Sequence, residues 1–347
     1  MTLYTLSDLG VRPAMLAHLD PETETPDDLA RVSAVHRDAL EVLTRNGPAR
    51  LRHAPFDDPQ DRPTVGDVVL IDRALERPAR VLPRTSLFKR KAAGVEAKVQ
   101  LIAANIDTGF IVSSCNADFK PARLERYLTM VREAGAEPVI LLTKADLADP
   151  APYLEAARRI AGDALVEAVN ALDAGDLTRL SPWTGAGQTA ALIGSSGVGK
   201  TTLVNTLTGV GAATGGIRED NAKGRHTTRG RTLHRMVSGG FLVDTPGLRE
   251  LALAGVDAGL SATFEDLAEL EMRCRFADCN HQGEPGCAVE AALAAGEIDP
   301  DRWRRFKKLK REAARNDATL KERRDASKAQ GKLYRRIQDE HRKSKGR

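Results

Sequence analysis

AALIGSSGVGKTTLVNTL, residues 190–207, decides how the rest of the chain is read. An apolar run, Ala190 to Ile193, leads into Gly194, four residues, and then Gly199, Lys200 and Thr201. Apolar residues return at helical spacing at Leu203, Val204 and Leu207. The pattern predicts a strand, a glycine loop and a helix opening on Lys200. Gly194, Gly197 and Gly199 let backbone N–H groups turn inward on phosphate oxygens, and the helix N-terminus adds positive potential. Lys200 reaches the β- and γ-phosphates and the Thr201 hydroxyl ligates Mg²⁺. The expected phosphate cradle is thus Gly194, Ser195, Ser196, Gly197, Val198, Gly199, Lys200, Thr201 and Thr202.

Two further stretches complete a nucleotide site. Downstream, the strand Phe241 to Val243 runs into Asp244-Thr245-Pro246-Gly247. An aspartate there holds Mg²⁺, mostly through water, and the Gly247 N–H detects the γ-phosphate. Upstream, the strand PVILL (138–142) is followed by Thr143-Lys144-Ala145-Asp146. A carboxylate at Asp146 accepts from N1–H and the exocyclic amine of guanine. Adenine would leave it unpaired, so the expected nucleotide is GTP. Between cradle and DTPG, NAKGRHTTRGRT (221–232) reads as a glycine-rich loop whose Thr227 or Thr228 closes on Mg²⁺ when a γ-phosphate is present. The alternative is a plain surface excursion. Leu248 follows DTPG where a glutamine would orient water, so intrinsic turnover is expected to be slow. His226 is the candidate for orienting that water; the competing account is a solvated loop histidine.

The base element precedes the phosphate loop by about fifty residues, the reverse of the ordinary GTPase order. Packing does not depend on connectivity, so a sheet tolerates permuted strands when the old termini can be joined. The fold expected for 91–262 is a doubly wound α/β sheet: strand Phe110 to Cys115, helix Pro121 to Gly135, strand Pro138 to Leu142, a helix around Tyr153 to Ile160, and strand Ala164 to Val169. Before it, residues 1–28 form a leader. Residues 29–90 hold five short alternating segments separated by turns, the pattern of a small OB-type β-barrel. Such barrels either bind oligonucleotides or serve only as structure, and this one has few aromatic residues for stacking bases. Arg84 to Lys98 reads as a basic connector.

Cys274, Cys279, His281 and Cys287 lie within fourteen positions, with Gly283, Pro285 and Gly286 bending the loop between them. Three thiolates and an imidazole make a complete Cys₃His set for structural Zn²⁺, with no position left for a catalytic water. Disulfides are the competing account, but the chain has only four cysteines and no secretory leader, so a reducing cytosolic setting is expected. Helical stretches flank the knuckle, giving a small helical domain over 263–315. Residues 316–347 are a basic tail. From Arg302 onward the chain carries nineteen Lys/Arg against six Asp/Glu, a local +13 set against +4 for all 347 residues. That asymmetry favours a polyanion such as RNA over a merely solvated helix. No run of apolar residues is long enough for a membrane span.

Taken in order, VLPRTSLFKRKAAG, QLIAANIDTGFIV, TKAD, GSSGVGKTTLVN, GRHTT, DTPG and CRFADCNHQGEPGCAV resemble the small ribosomal subunit biogenesis GTPase family. The likeness runs from about residue 30 to about 312. It implies circularly permuted GTPase, barrel and zinc domains. The implied activity is GTP hydrolysis to GDP and phosphate, coupled to release from the maturing 30S particle. The implied partner is the small subunit and its 16S ribosomal RNA, met by a monomer. Three positions depart from the family pattern. Thr143 stands where the family has asparagine, so the amide that braces the base pocket is missing and weaker nucleotide binding is expected. Arg229 replaces the third threonine after His226. Val169-Asn170-Ala171 is the candidate for a base-bracing pair that is otherwise not evident. Competing functional readings are a nucleotide-gated RNA-binding module and a permuted GTPase acting on the large subunit or on tRNA.

Overall fold

The computed structural model describes residues 4–91, 99–210, 232–244 and 255–317. They divide into two compact units, with 4–90, 99–210, 232–244 and 258–265 in the first and 91, 255–257 and 266–317 in the second. Among the described residues no helix is long and apolar enough to cross a membrane.

The first unit starts with the segment 4–28 and its short helix α1 (Pro13–Leu16). Strands β1 (Leu29–Val35), β2 (Ala39–Thr44), β3 (Gly47–Arg52), β4 (Val68–Asp72) and β5 (Arg77–Val81) follow, antiparallel in the order β3-β2-β1-β4-β5. Arg52 N donates to Glu76 O (2.8 Å), just before β5, so the two edge strands approach and the sheet curls. Alternation along the strands separates two faces. Ala30, Val32, Leu40, Val42, Leu51 and Val69 pack on one. Leu29, Val68, Leu70 and Leu82 lie on the other, where Leu9, Val11 and Met15 cover them. The amino-terminal segment is therefore part of the core, each buried side chain of this size contributing about 1.5–3 kcal/mol.

Arg31 sits in β1 two residues from Leu29, on the same covered face, and is only 1 % exposed despite its charge. Its Nη1 donates to Leu9 O (3.0 Å), and its Nη2 to Asn105 O (3.0 Å) and Thr189 Oγ1 (3.1 Å). The guanidinium thus joins three segments far apart in the chain. Desolvation lowers its pKa to about 10, opposed by the charge of Asp67. Asp67 is buried beside it and pushed up by desolvation, an effect opposed by the Arg84 fork at 2.8 Å on each oxygen. Asn105 Nδ2 adds a bond to Gly66 O (3.0 Å). The result is a polar seam between the curled sheet and the rest of the unit.

Part of the stretch expected as a connector is a strand: β6 (Leu87–Lys91) pairs with β7 (Val99–Ala104) in a two-stranded sheet. The parallel sheet follows, with β8 (Thr108–Ser114), helix α2 (Pro121–Glu133), β9 (Glu137–Thr143), helix α3 (Ala151–Ala161) and β10 (Leu165–Ala168). After these come the short α4 (Ser181–Thr184), β11 (Thr189–Gly194), helix α5 (Lys200–Thr208), β12 (Thr232–Arg235), β13 (Phe241–Asp244) and helix α6 (Asp257–Thr263). The order is β10-β9-β8-β11-β13-β12, parallel except for β12. Phe110, Val112, Leu192 and Leu242 face a core that includes Leu203 and Leu207 of α5. On the opposite face Gly109 lets Val131 of α2 approach, since a Cβ there would stand 2.6 Å from Val131 Cγ1. The chain runs β8, β9, β10 outward and then crosses back to lay β11 on the other side of β8. That reversal opens a crevice beyond the carboxyl ends of β8 and β11.

The second unit contains most of α7 (Glu265–Met272), then α8 (Ala288–Ala294) and α9 (Pro300–Asp317). Trp303, Phe306, Leu309 and Ala313 form the buried stripe of α9 at helical spacing. Arg302 bonds Asp266 through both terminal nitrogens (2.8 and 2.9 Å), and Lys310 Nζ donates to Glu271 Oε2 (2.7 Å), holding α9 to α7.

Candidate nucleotide and metal sites

The phosphate loop is shaped by close approach. β11 ends at Gly194, where a Cβ would lie 2.3 Å from Val112 O of β8, so only glycine fits. Gly199, at φ 92°, turns the chain into α5, which opens on Lys200. The N–H groups of the first turn of α5 therefore face the crevice. Lys200 Nζ lies 2.7 Å from Gly194 O and also bonds Ser195 O, so the ammonium sits over the loop. Ser196, Gly197 and Thr201 are exposed, Thr202 is half-buried, and Val198 is buried beneath.

The base element meets this loop directly. Thr143, last residue of β9 and fully buried, places Oγ1 2.6 Å from Val198 O and 3.0 Å from Ser113 O. A hydroxyl has one proton, and the shorter contact, to the phosphate loop, takes it. The hydroxyl thus links the end of β9 to the loop at the position where a missing amide was expected to leave the pocket unbraced. Lys144 adopts φ 60°, and Asp146 beyond it is exposed. Val169-Asn170-Ala171 follows β10, the strand beside β9, and Ala171 O accepts from Thr206 Oγ1 of α5 (2.8 Å). Asp244 ends β13, which pairs with β11 in parallel through Ala191 and Val243. Lys200, Asp146 and Asp244, scattered in the sequence, therefore come to one end of one sheet. His226, Thr227, Thr228, Gly247 and the tail beyond residue 317 lie outside the described residues, as does the Asp244 side chain.

One residue at this rim escaped the sequence reading. Arg123, in the first turn of α2, directs Nη1 to Ser195 Oγ (3.3 Å) and brings a second cation to the phosphate loop. Its place on a helix opening beside the crevice was the available signal, but a lone arginine among exposed helical residues does not stand out.

In the second unit Cys274, Cys279, His281 and Cys287 place their donor atoms within 4.8 Å of one another. Cys274 Sγ is 4.0 Å from Cys287 Sγ and 3.6 Å from His281 Nδ1, which is 3.4 Å from Cys287 Sγ. A tetrahedral Zn²⁺ with its usual bond lengths separates two sulfurs by about 3.8 Å and sulfur from nitrogen by about 3.5 Å. The donor set therefore has the size that the ion requires, and all four cysteines of the chain are free thiols. Against desolvation, bonds from the Val289 and Ala288 backbone hold the Cys274 thiol below its ordinary value. Desolvation and then the neighbouring thiols push Cys279 up to about 11.

Comparison with known proteins agrees with this geometry. Residues 81–254 match the family model described as RsgA GTPase. The chain is 44% identical over 344 residues to "Small ribosomal subunit biogenesis GTPase RsgA 2" of Vibrio vulnificus, covering 99% of this chain and 97% of that one. Its fold is similar to YjeQ from Thermotoga maritima, with TM-score 0.59 and 22% identity over 81% of this chain and 96% of the other. It is equally similar to YloQ, described as a circularly permuted GTPase, with TM-score 0.59 and 24% identity over 84% and 96%. The chain belongs to the RsgA GTPase family and is a circularly permuted GTPase.

Proposed function

We propose that the chain hydrolyses GTP during late maturation of the small ribosomal subunit in the cytoplasm, and that hydrolysis releases it from the particle. The observation that carries the reading is the Thr143 hydroxyl on Val198 O, which ties the guanine-selecting strand to the phosphate loop across permuted connectivity. In this reading Asp146 accepts two hydrogen bonds from guanine. The loop N–H groups and Lys200 hold the β- and γ-phosphates, and Arg123 adds charge at the rim. Thr201 and Asp244 offer hydroxyl and carboxylate oxygens, the hard donors that suit Mg²⁺. Bound there, Mg²⁺ would neutralise charge on the phosphates, Thr227 or Thr228 would sense the γ-phosphate, and His226 would orient water. In the second unit the Cys₃His set would hold Zn²⁺ as a structural ion.

The ribosomal role is supported by the name of the Vibrio vulnificus relative and by the basic charge of this chain's carboxyl end. The partner proposed is the 16S ribosomal RNA, met by a monomer. The test is the GTPase rate with and without purified small subunits, for the native chain, Lys200→Ala and His226→Ala. Stimulation by small but not large subunits is expected. Lys200→Ala should lose GTP binding, whereas His226→Ala should keep binding and lose stimulation. Equal rates with and without subunits would refute the ribosomal role, and full stimulation of His226→Ala would remove that residue from the mechanism.

A further inference from the structure

The four metal donors do not stand alone. His281 turns Nδ1 toward the thiols, and its other nitrogen, Nε2, lies 3.5 Å from Glu271 Oε1 on α7. The second oxygen of that carboxylate, Oε2, accepts from Lys310 Nζ on α9 at 2.7 Å. Trp303, also on α9, packs against the imidazole at 5.3 Å between centroids and 86° between planes. The imidazole and the carboxylate are 10 % and 21 % exposed at the side chain, so bulk water is largely kept from the contact.

These contacts answer a specific difficulty. His281 sits at φ 57° in an irregular loop between Cys279 and Gly283, so no helix or strand fixes which ring nitrogen it offers. A ring flip or the wrong tautomer would present an N–H to the ion and leave three donors instead of four. A carboxylate 3.5 Å from Nε2 bears on both choices at once: its charge favours the proton on Nε2 and leaves the Nδ1 lone pair facing the thiolates. Charge argues the same way. Three thiolates around a divalent cation leave one net negative charge, which disfavours another carboxylate nearby unless a cation balances it. Lys310 is that cation.

We propose that Glu271 is a positioning residue for the metal centre, holding His281 in the tautomer that binds through Nδ1, with Lys310 fixing the carboxylate in turn. This rests on reading the four donors as a metal site. Its further consequence is that the ion, through His281, Glu271 and Lys310, anchors α9. That helix exposes Arg304, Lys308 and Arg311, with Lys307 half-buried beside them, so a loosely held histidine loosens the basic helix too.

The test uses the full chain loaded with Zn²⁺. Competition with a chromogenic chelator should show Glu271→Ala binding Zn²⁺ about 10- to 100-fold more weakly than the native chain. Glu271→Gln, whose carbonyl still accepts from Nε2–H, should recover most of that loss, and Lys310→Met should lose a few-fold. Imidazole ¹⁵N spectra of the Zn²⁺-loaded native chain should show Nδ1 metal-bound and Nε2 protonated. Coordination through Nε2 would overturn the proposal, even if Glu271→Ala failed to fold. So would native-like affinity in Glu271→Ala. If the native chain itself bound no stoichiometric Zn²⁺, the metal reading would fail first, and the two failures are distinguishable.

Discussion

Replacing Thr143 with valine removes a single hydroxyl from a fully buried position while keeping nearly the same shape. The hydroxyl makes its short contact to Val198 O at 2.6 Å, and Val198 is itself 2 % exposed, so water has little access to the carbonyl once the donor is gone. A net hydrogen bond is worth about 1 kcal/mol, and a buried carbonyl left without its donor costs up to about 3 kcal/mol. Because Val198 lies within the phosphate loop, the loss should appear in nucleotide affinity. At 1.4 kcal/mol per tenfold, GTP and GDP should both bind about 5- to 100-fold more weakly. The two nucleotides should suffer alike, since the loop holds phosphates that they share. Thr143→Ser, which keeps the donor, should stay near native affinity. Titration with fluorescent GDP and a GTP analogue, beside thermal melts of the nucleotide-free protein, reads both effects. Unchanged affinities with a lowered melting temperature would refute the brace, because the bond would then be supporting only the sheet.

The seam gives a second expectation: Arg31→Met leaves Leu9 O, Asn105 O and Thr189 Oγ1 without their shared donor and Asp67 with one fewer neighbouring cation, at a cost of about 3–5 kcal/mol; a native-like melting temperature would count against it. Removing Zn²⁺ with a chelator, or replacing Cys279 with serine, should unfold the second unit while GTP binding by the first persists, as followed by circular dichroism beside nucleotide titration. Acid should release the amino-terminal segment. Bonds from the Thr5 hydroxyl and N–H hold Asp8 below 3.8, the Arg80 guanidinium holds Glu24 below 4.5, and the Thr25 hydroxyl holds Asp28 below 3.8. Each folded pKa is depressed, so its contribution is complete above the unfolded value and is lost as pH falls through the folded one. Hydrogen exchange over residues 4–28 should quicken below about pH 4 while the parallel sheet stays protected; uniform protection down to pH 2 would contradict this.

What the sequence disclosed and what it hid divide along physical lines. The strand, glycine loop and helix of residues 189–208 follow from local chemistry, because no other residue types satisfy the close approach at Gly194 and the turn at Gly199. The Cys₃His spacing is equally local. Strands β8, β9 and β11 were readable because a parallel sheet covered on both faces needs continuous apolar runs. The β6–β7 pair was not, since Leu87-Phe88-Lys89-Arg90-Lys91 reads as a solvated basic stretch although Phe88 is 1 % exposed. Arg31 was hidden for the same reason. Its charge implies solvent, and the acceptors that bury it come from residues 22, 74 and 158 positions away. Glu271 and Arg123 belong to this class as well: each is an ordinary helical residue until folding supplies its partner.

The two attachments of the curled sheet to the nucleotide domain differ in what they can transmit. The Arg31 seam grips Asn105, before β8, and Thr189, the first residue of β11, so it lies at the amino ends of the strands, away from the phosphate loop. The other attachment is made of backbone at the opposite end. Thr232 pairs with Asp244 on one side and with Ala34 of β1 on the other. A single residue therefore separates the strand end that carries the proposed Mg²⁺ ligand from the curled sheet. A shift of Asp244 on nucleotide exchange would displace Thr232 and reach β1 through ladder contacts, while the buried guanidinium holds the far ends of the strands in place. With one end fixed and the other coupled, nucleotide state would tilt the curled sheet, and the pairing of β12 with β1 is what makes such a tilt available.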